Sequence, residues 1–179
     1  MKEKSEIVRA TDVRTLIEDA FSRTIAPEDI FISNYPRADK DPEMIEMRKA
    51  FRGKRWKDIP EDICWAYGYQ AAFFSDEAYA YYLPAYMAAS LIAFIGGRVS
   101  DFEGFTNITL DDLLSGGRFA NALRTRLKAY RGSQWRALRS FVIFFKESSN
   151  SFYGPTAASV IFAIDSILHE NFGGNNFPS

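Results

Sequence analysis

Ser75-Asp76-Glu77-Ala78-Tyr79-Ala80-Tyr81-Tyr82-Leu83-Pro84-Ala85-Tyr86-Met87-Ala88-Ala89-Ser90-Leu91-Ile92-Ala93-Phe94-Ile95-Gly96-Gly97 is the most apolar stretch of this 179-residue chain. Ser75 suits the start of a helix, because its hydroxyl accepts from backbone amides that have no carbonyl partner in the first turn. Asp76 and Glu77 follow where the positive end of the helix dipole favours acids. Apolar groups then fall on nearly every side, the mark of a helix buried all round. Pro84 lacks an amide donor and crowds the turn before it, so the central helix is expected to be kinked or broken at Pro84. Gly96-Gly97 marks its end. The run from Leu83 to Ile95 is shorter than the roughly 20 residues a bilayer crossing needs and contains Pro84, so the stretch reads as core and no membrane contact is expected.

Other helices assemble outward from this one. Val13, Leu16, Ile17, Ala20 and Phe21 follow the i, i+3, i+4, i+7, i+8 pattern of a one-faced helix, with Thr11 or Asp12 as its cap. Residues 24–41 break any period, and Phe31 and Ile32 are expected to pin that loop to the body. Asp41-Pro42 opens a second helix, a cap followed by proline at the first helical position, which carries Met44, Met47 and Phe51 and stops at Gly53. Trp56, Ile59 and Ile63 begin another stripe entered at Pro60. Beyond the central helix, Thr109 with Asp111 and Asp112 starts a short helix ending at Ser115-Gly116-Gly117. Phe119, Leu123, Leu127 and Tyr130 line a helix closed by Gly132. Ser133 caps the next, with Trp135, Leu138, Val142 and Phe145, and Pro155 opens a last helix with Ile161, Ile164 and Leu168. No convincing strand alternation appears. The fold class expected is all-α, a compact bundle of about seven helices built from αα-hairpins. Residues 1–150 form a single helical domain, and 151–179 add a C-terminal helix and tail packed on it.

Two segments share one pattern. Lys49-Ala50-Phe51-Arg52-Gly53 with Trp56-Lys57 matches Lys128-Ala129-Tyr130-Arg131-Gly132 with Trp135-Arg136. Each reads as a helix ending at glycine, a sharp turn, and a tryptophan that packs the next helix back on the first. Convergence on a good corner and duplication of an αα-hairpin both account for the match, and in either case the corners are structural.

Charge is segregated although the net is −1. Residues 1–112 carry 14 Lys and Arg against 20 Asp and Glu, whereas residues 118–146 carry eight basic groups and no acid. Such a segment either faces a partner or is neutralised within the chain, here by the acidic first half. Arg124, Lys128 and Arg131 fall in one narrow helical arc and are expected to be exposed together. With Arg52, Lys54 and Arg55 of the first corner they are the candidate partner or anion contacts. Arg126 falls inside the apolar arc, where an arginine is costly unless paired, so an acidic partner from the first half is expected.

The sequence offers few groups for catalysis or metal binding. His169 is the single histidine and Cys64 the single cysteine. Zinc needs several converging ligands, and one histidine supplies no recognisable triad, so no catalytic residue, metal or cofactor is assigned. His169 suits the negative end of the last helix, and Cys64 reads as a small buried group. A lone cysteine fits a reducing compartment, and the charged start Met1-Lys2-Glu3-Lys4-Ser5-Glu6 does not resemble a secretory signal. A cytoplasmic location is expected.

Phe51-Arg52-Gly53-Lys54-Arg55-Trp56, followed by Phe73-Phe74-Ser75-Asp76-Glu77-Ala78-Tyr79 and Tyr81-Tyr82-Leu83-Pro84-Ala85-Tyr86, resembles a family of small bacterial proteins of unknown function. The resemblance covers roughly residues 11–147 and implies a compact helical domain. It brings no activity, cofactor or catalytic residue. Its motif residues (Phe51, Gly53, Trp56, Tyr81, Tyr82, Leu83, Pro84 and Tyr86, with Gly132 and Trp135 from the second corner) are mostly large and apolar, which points to a shared core. The excess of Tyr and Trp and the segregated charge favour a non-catalytic protein-binding module, by analogy an immunity-type partner of a toxin. The alternative is a nucleic-acid or anion-binding protein using the basic 48–57 and 118–146 segments. An enzyme comes third and would need Asp58, Glu61 or Asp62 to meet tyrosines in a pocket.

Overall fold

The computed structural model describes residues 2–27, 37, 39–98, 100–101, 104, 119–148 and 154–173. Among them lie seven α-helices and no strand: α1 (Lys2–Phe21), α2 (Pro42–Phe51), α3 (Glu61–Ala66), α4 (Asp76–Ile95), α5 (Phe119–Arg126), α6 (Gly132–Ser148) and α7 (Gly154–Phe172). Two 3₁₀ turns, Trp56–Asp58 and Tyr69–Phe73, complete the connections on either side of α3. The expected helix at 109–117, the loop anchors Phe31 and Ile32, and Arg118 lie outside the described residues.

Helix α4 is the central element. Helices α1, α3 and α5 pack against it, α1 also packs on α6, and α7 lies on α6 and α5. Fourteen of its 20 residues are buried, including every residue from Ala78 to Met87. It is long and apolar enough to cross a membrane by length and composition, the one such helix among the described residues, and its sides are taken by other helices of the chain. Ser75 caps it as expected, its hydroxyl accepting from Ala78 N–H at 3.1 Å. Gly96-Gly97 closes it through paired bonds, Arg98 N–H to Ala93 O and Gly97 N–H to Phe94 O, with Gly97 at φ 74°; this is the Schellman arrangement.

The expected break at Pro84 does not occur: α4 runs without interruption from Asp76 to Ile95. The cost of proline inside a helix is the carbonyl left unpaired four residues back, here that of Ala80. The hydroxyl of Tyr130 donates to Ala80 O at 2.8 Å. A side chain 50 positions downstream thus replaces the missing amide, one of the known ways a proline-containing helix is re-satisfied.

Other boundaries differ from expectation for equally local reasons. Helix α1 begins at Lys2, well before Thr11 and Asp12. Its first turns are rich in Lys, Glu, Arg and Ala, which are good helix formers. Ala10 is fully buried, and the Thr11 hydroxyl bonds back to Ile7 O instead of capping. Helix α5 ends at Arg126, and Gly132 does not close it; Gly132 is the first residue of α6. Ser133 is therefore not the cap. Gln134 reaches back to accept from Arg131 N–H at 2.8 Å, the returning half of a capping box. Asp41 does cap α2, accepting from the amides of Glu43 and Met44. One hydrophobic cluster runs through all these elements and includes Ala157, Val160, Ile164, Ile167 and Leu168 of α7.

Candidate functional site

The two sequence-matched corners meet at the end of the bundle where α1 stops and α4 starts. Phe21, the last residue of α1, packs edge-on against Trp56 of the first corner (6.3 Å between ring centres) and Tyr130 of the second (5.1 Å). Trp56 donates its indole N–H to Phe21 O at 3.2 Å, and Tyr130 in turn meets Trp135. The tyrosines at the start of α4 hold the first corner through its backbone. Tyr82 donates to Phe51 O at 2.8 Å, Tyr81 accepts from Trp56 N–H at 3.4 Å, and Tyr86 donates to Tyr67 O at 3.3 Å. Burial pushes the Tyr82 and Tyr130 hydroxyls well above their ordinary range, so both remain protonated donors. The motif residues are core, with Phe51, Trp56, Tyr81, Tyr82, Leu83, Tyr86 and Trp135 all buried.

Beside this junction lies a groove of about 800 Å³, walled by the end of α1 and residues Ser22–Pro27, the start of α4, and the α5–α6 corner. Tyr81 and Tyr130 form part of its floor, and Asp19, Arg23, Glu77 and Arg131 stand on its walls. Sequence reading missed this groove. Its walls come from three segments far apart in the chain, and only Arg131 carried a signal.

Three of the basic groups of 118–146 are paired within the chain, two of them by acids outside the acidic first half. Arg124 pairs with Glu170 at 2.6 Å and Arg139 with Asp165, both acids of α7. The third acid of the C-terminal stretch, Glu147, holds Arg9. Arg126 does find its partner in the first half: its guanidinium stacks 3.7 Å from the Tyr79 ring centre and lies 3.7 Å from Asp76. In the first corner Arg48 pairs with Asp39, Lys49 with Glu46 and Arg55 with Asp58. The Asp58 carboxyl is held below its usual range by Arg55. Arg52 and Lys54 are exposed and form no ion pair among the described residues, as is true of Lys128 and Arg131. The common helical arc expected for Arg124, Lys128 and Arg131 is not formed, because α5 stops at Arg126 and leaves the other two on the turn.

Two of the three carboxylates named for an enzyme are held in ion pairs. Asp58 serves Arg55 and Glu61 serves Arg98. Among the described residues no group of three or more His, Cys, Asp or Glu is placed to hold a metal ion. Cys64 is buried, and burial together with Glu61 and Asp62 pushes its thiol up to about 12.

A second surface feature lies on α3 and the following 3₁₀ turn. Trp65, Tyr69 and Phe73, spaced by four, are 51%, 78% and 39% exposed. Gly104 lies directly against the Trp65 ring, where a side chain would be too close. Asp62, on the same short helix as Trp65, is exposed, and Glu43 accepts from the amide of Gln70, the residue after Tyr69.

These features define an all-α fold whose buried rings build its core and whose described surface carries a mixed-charge groove and three exposed rings, Trp65, Tyr69 and Phe73. The chain belongs to a family of unknown function (DUF6714), whose model matches residues 9–160. Neither a curated protein nor a solved structure matches it.

Proposed function

We propose that the domain acts by binding another protein through the exposed rings Trp65, Tyr69 and Phe73. The observation that carries this reading is the exposure of three large rings in sequence while most other rings of the chain's described part are buried. Exposed aromatic residues are the commonest anchors at protein interfaces, because they bury large rigid area at small entropic cost. Asp62 and Glu43 suit a partner with an apolar slot and a basic rim, and disfavour an anionic membrane surface. An immunity-type role is the special case in which that partner is a toxin.

The anion- or nucleic-acid-binding reading has less support. Arg48, Lys49, Arg55, Arg124, Arg126 and Arg139 already hold acids of the same chain, so fewer cations remain for phosphates. Its signature would be affinity for oligonucleotides that falls steeply with salt.

The test places a photoreactive benzoylphenylalanine at position 69 of the full chain in cells of the source organism, with position 16 as an exposed control. A discrete crosslinked partner from position 69 alone, lost on Trp65→Ala, is expected. Absence of any position-69 product, or the same product from both positions, refutes the proposal.

A further inference from the structure

We infer that the groove beside the two corners is a second binding site, for a peptide segment carrying both an acidic and a basic side chain. Its volume of about 800 Å³ lies in the upper part of the roughly 300–1,000 Å³ range of drug-sized ligand sites, more room than a single amino acid fills. The charge on its walls selects the ligand class. Asp19, Arg23, Glu77 and Arg131 line it, two of each sign, and none forms an ion pair among the described residues. Eight arginines elsewhere each hold an acid within 4 Å. The protein pairs most of its arginines internally, and the four charges around this concavity are among those that form no ion pair with another described residue. A ligand of one sign would be attracted by half of these groups and repelled by the rest. A segment bearing both signs meets all four.

The rest of the groove fits such a segment. Tyr81 and Tyr130 at its floor are each 6% exposed; the Tyr130 hydroxyl donates to Ala80 O, and the Tyr81 oxygen accepts from Trp56 N–H. The floor is therefore held in place by these bonds and adds little surface of its own, so the walls carry most of the contact. Ile25, 90% exposed, stands at the rim as an apolar contact. The site is separate from the exposed rings Trp65, Tyr69 and Phe73 and stands or falls without them.

The probe is an array of random octapeptides challenged with the labelled full chain. Bound sequences should be enriched at least fivefold in peptides that contain both a Glu or Asp and a Lys or Arg. Arg131→Glu should move that enrichment toward peptides with an added base and fewer acids. Ala129→Trp, which places a bulky ring at the groove wall, should lower binding at least tenfold while the thermal midpoint stays within about 2 °C. Tyr69→Ala should leave array binding unchanged, which separates this site from those rings. No array binding, enrichment for a single sign, or binding indifferent to both groove variants would overturn the inference.

Discussion

Tyr130→Phe tests how the central helix tolerates its proline. The substitution keeps the ring, and with it the edge-on packing against Phe21 and Trp135, and removes only the hydroxyl that donates to Ala80 O at 2.8 Å. Pro84 supplies no amide to that carbonyl, so the buried acceptor loses its donor. Leaving a buried group unsatisfied costs about 1–3 kcal/mol. At about 2–4 °C per kcal/mol for a chain of this size, the thermal midpoint should fall by about 2–12 °C. The decisive comparison is a cycle with Pro84→Ala, which returns an amide at position 84 to serve Ala80. In that background the loss of the hydroxyl should cost only the net worth of one ordinary hydrogen bond, about 0.5–1.5 kcal/mol. Urea unfolding of the four proteins gives the coupling directly, and a value near 1 kcal/mol is expected, within the range for residues sharing a partner. Equal costs of Tyr130→Phe in both backgrounds, within about 0.5 kcal/mol, would show that the hydroxyl does not stand in for the amide.

Three further outcomes follow from the same packing. Arg126→Gln should cost about 1–2 kcal/mol by losing its stack on Tyr79, and Asp76→Asn less than about 1 kcal/mol; equal costs in chemical denaturation would assign Arg126 to the ion pair instead. Cys64 should resist Ellman's reagent at pH 8 until the protein is unfolded. Because burial raises its thiol to about 12 against about 8.5 in the unfolded chain, its contribution is complete below pH 8.5 and is lost as pH rises toward 12. Cys64→Val should therefore flatten the alkaline fall in stability, and an unchanged slope would assign that fall to other groups. Gly53→Ala should cost about 1–2 kcal/mol, since Gly53 sits at φ 73° where a side chain is strained. Gly132→Ala should be neutral or stabilise by about 0.4–1 kcal/mol, since its new methyl meets Phe172 and Arg136 at 3.4 Å; similar losses at both positions in thermal unfolding would contradict the two geometries.

Much of the helical plan was legible because it is written in short-range chemistry. Ser75, Asp41 and Gly97 act within a few residues of themselves, and a helix apolar on all sides must be central. What escaped the sequence depends on residues far apart. Continuity of α4 through Pro84 rests on Tyr130, and no local pattern announces that bond. The start of α1 was placed too late because Thr11 is equally suited to capping and to bonding back one turn. Pairing of the basic segment was anticipated in kind but not in source: Glu170 and Asp165 are ordinary acids of a last helix until that helix is seen to lie on α5 and α6. The exposed rings were hidden in the same way. Trp65, Tyr69 and Phe73 look no different in sequence from the buried Tyr79, Tyr82 and Tyr86, since burial is decided by what packs against a ring.

The matched corners show the same dependence at its clearest. Lys-Ala-aromatic-Arg-Gly followed by tryptophan occurs twice, yet only Gly53 takes the left-handed conformation. In the first corner the Phe51 carbonyl accepts from Lys54 N–H across the turn, and the Tyr82 hydroxyl shares its one proton between the Phe51 and Lys54 carbonyls, so the chain can turn sharply and stay satisfied. In the second, Gln134 binds the amide of Arg131 and draws Gly132 directly into α6, with the Phe172 ring close above it. Lys54 and Ser133 occupy the same place after the glycine, and Arg55 stands where Gln134 stands. An arginine has no acceptor for a backbone amide, so the first corner cannot start its helix in that way. One side chain's hydrogen-bonding capacity therefore separates the two turns. It also places Arg131 at the mouth of α6, facing the groove, while the equivalent Arg52 is left on the open surface.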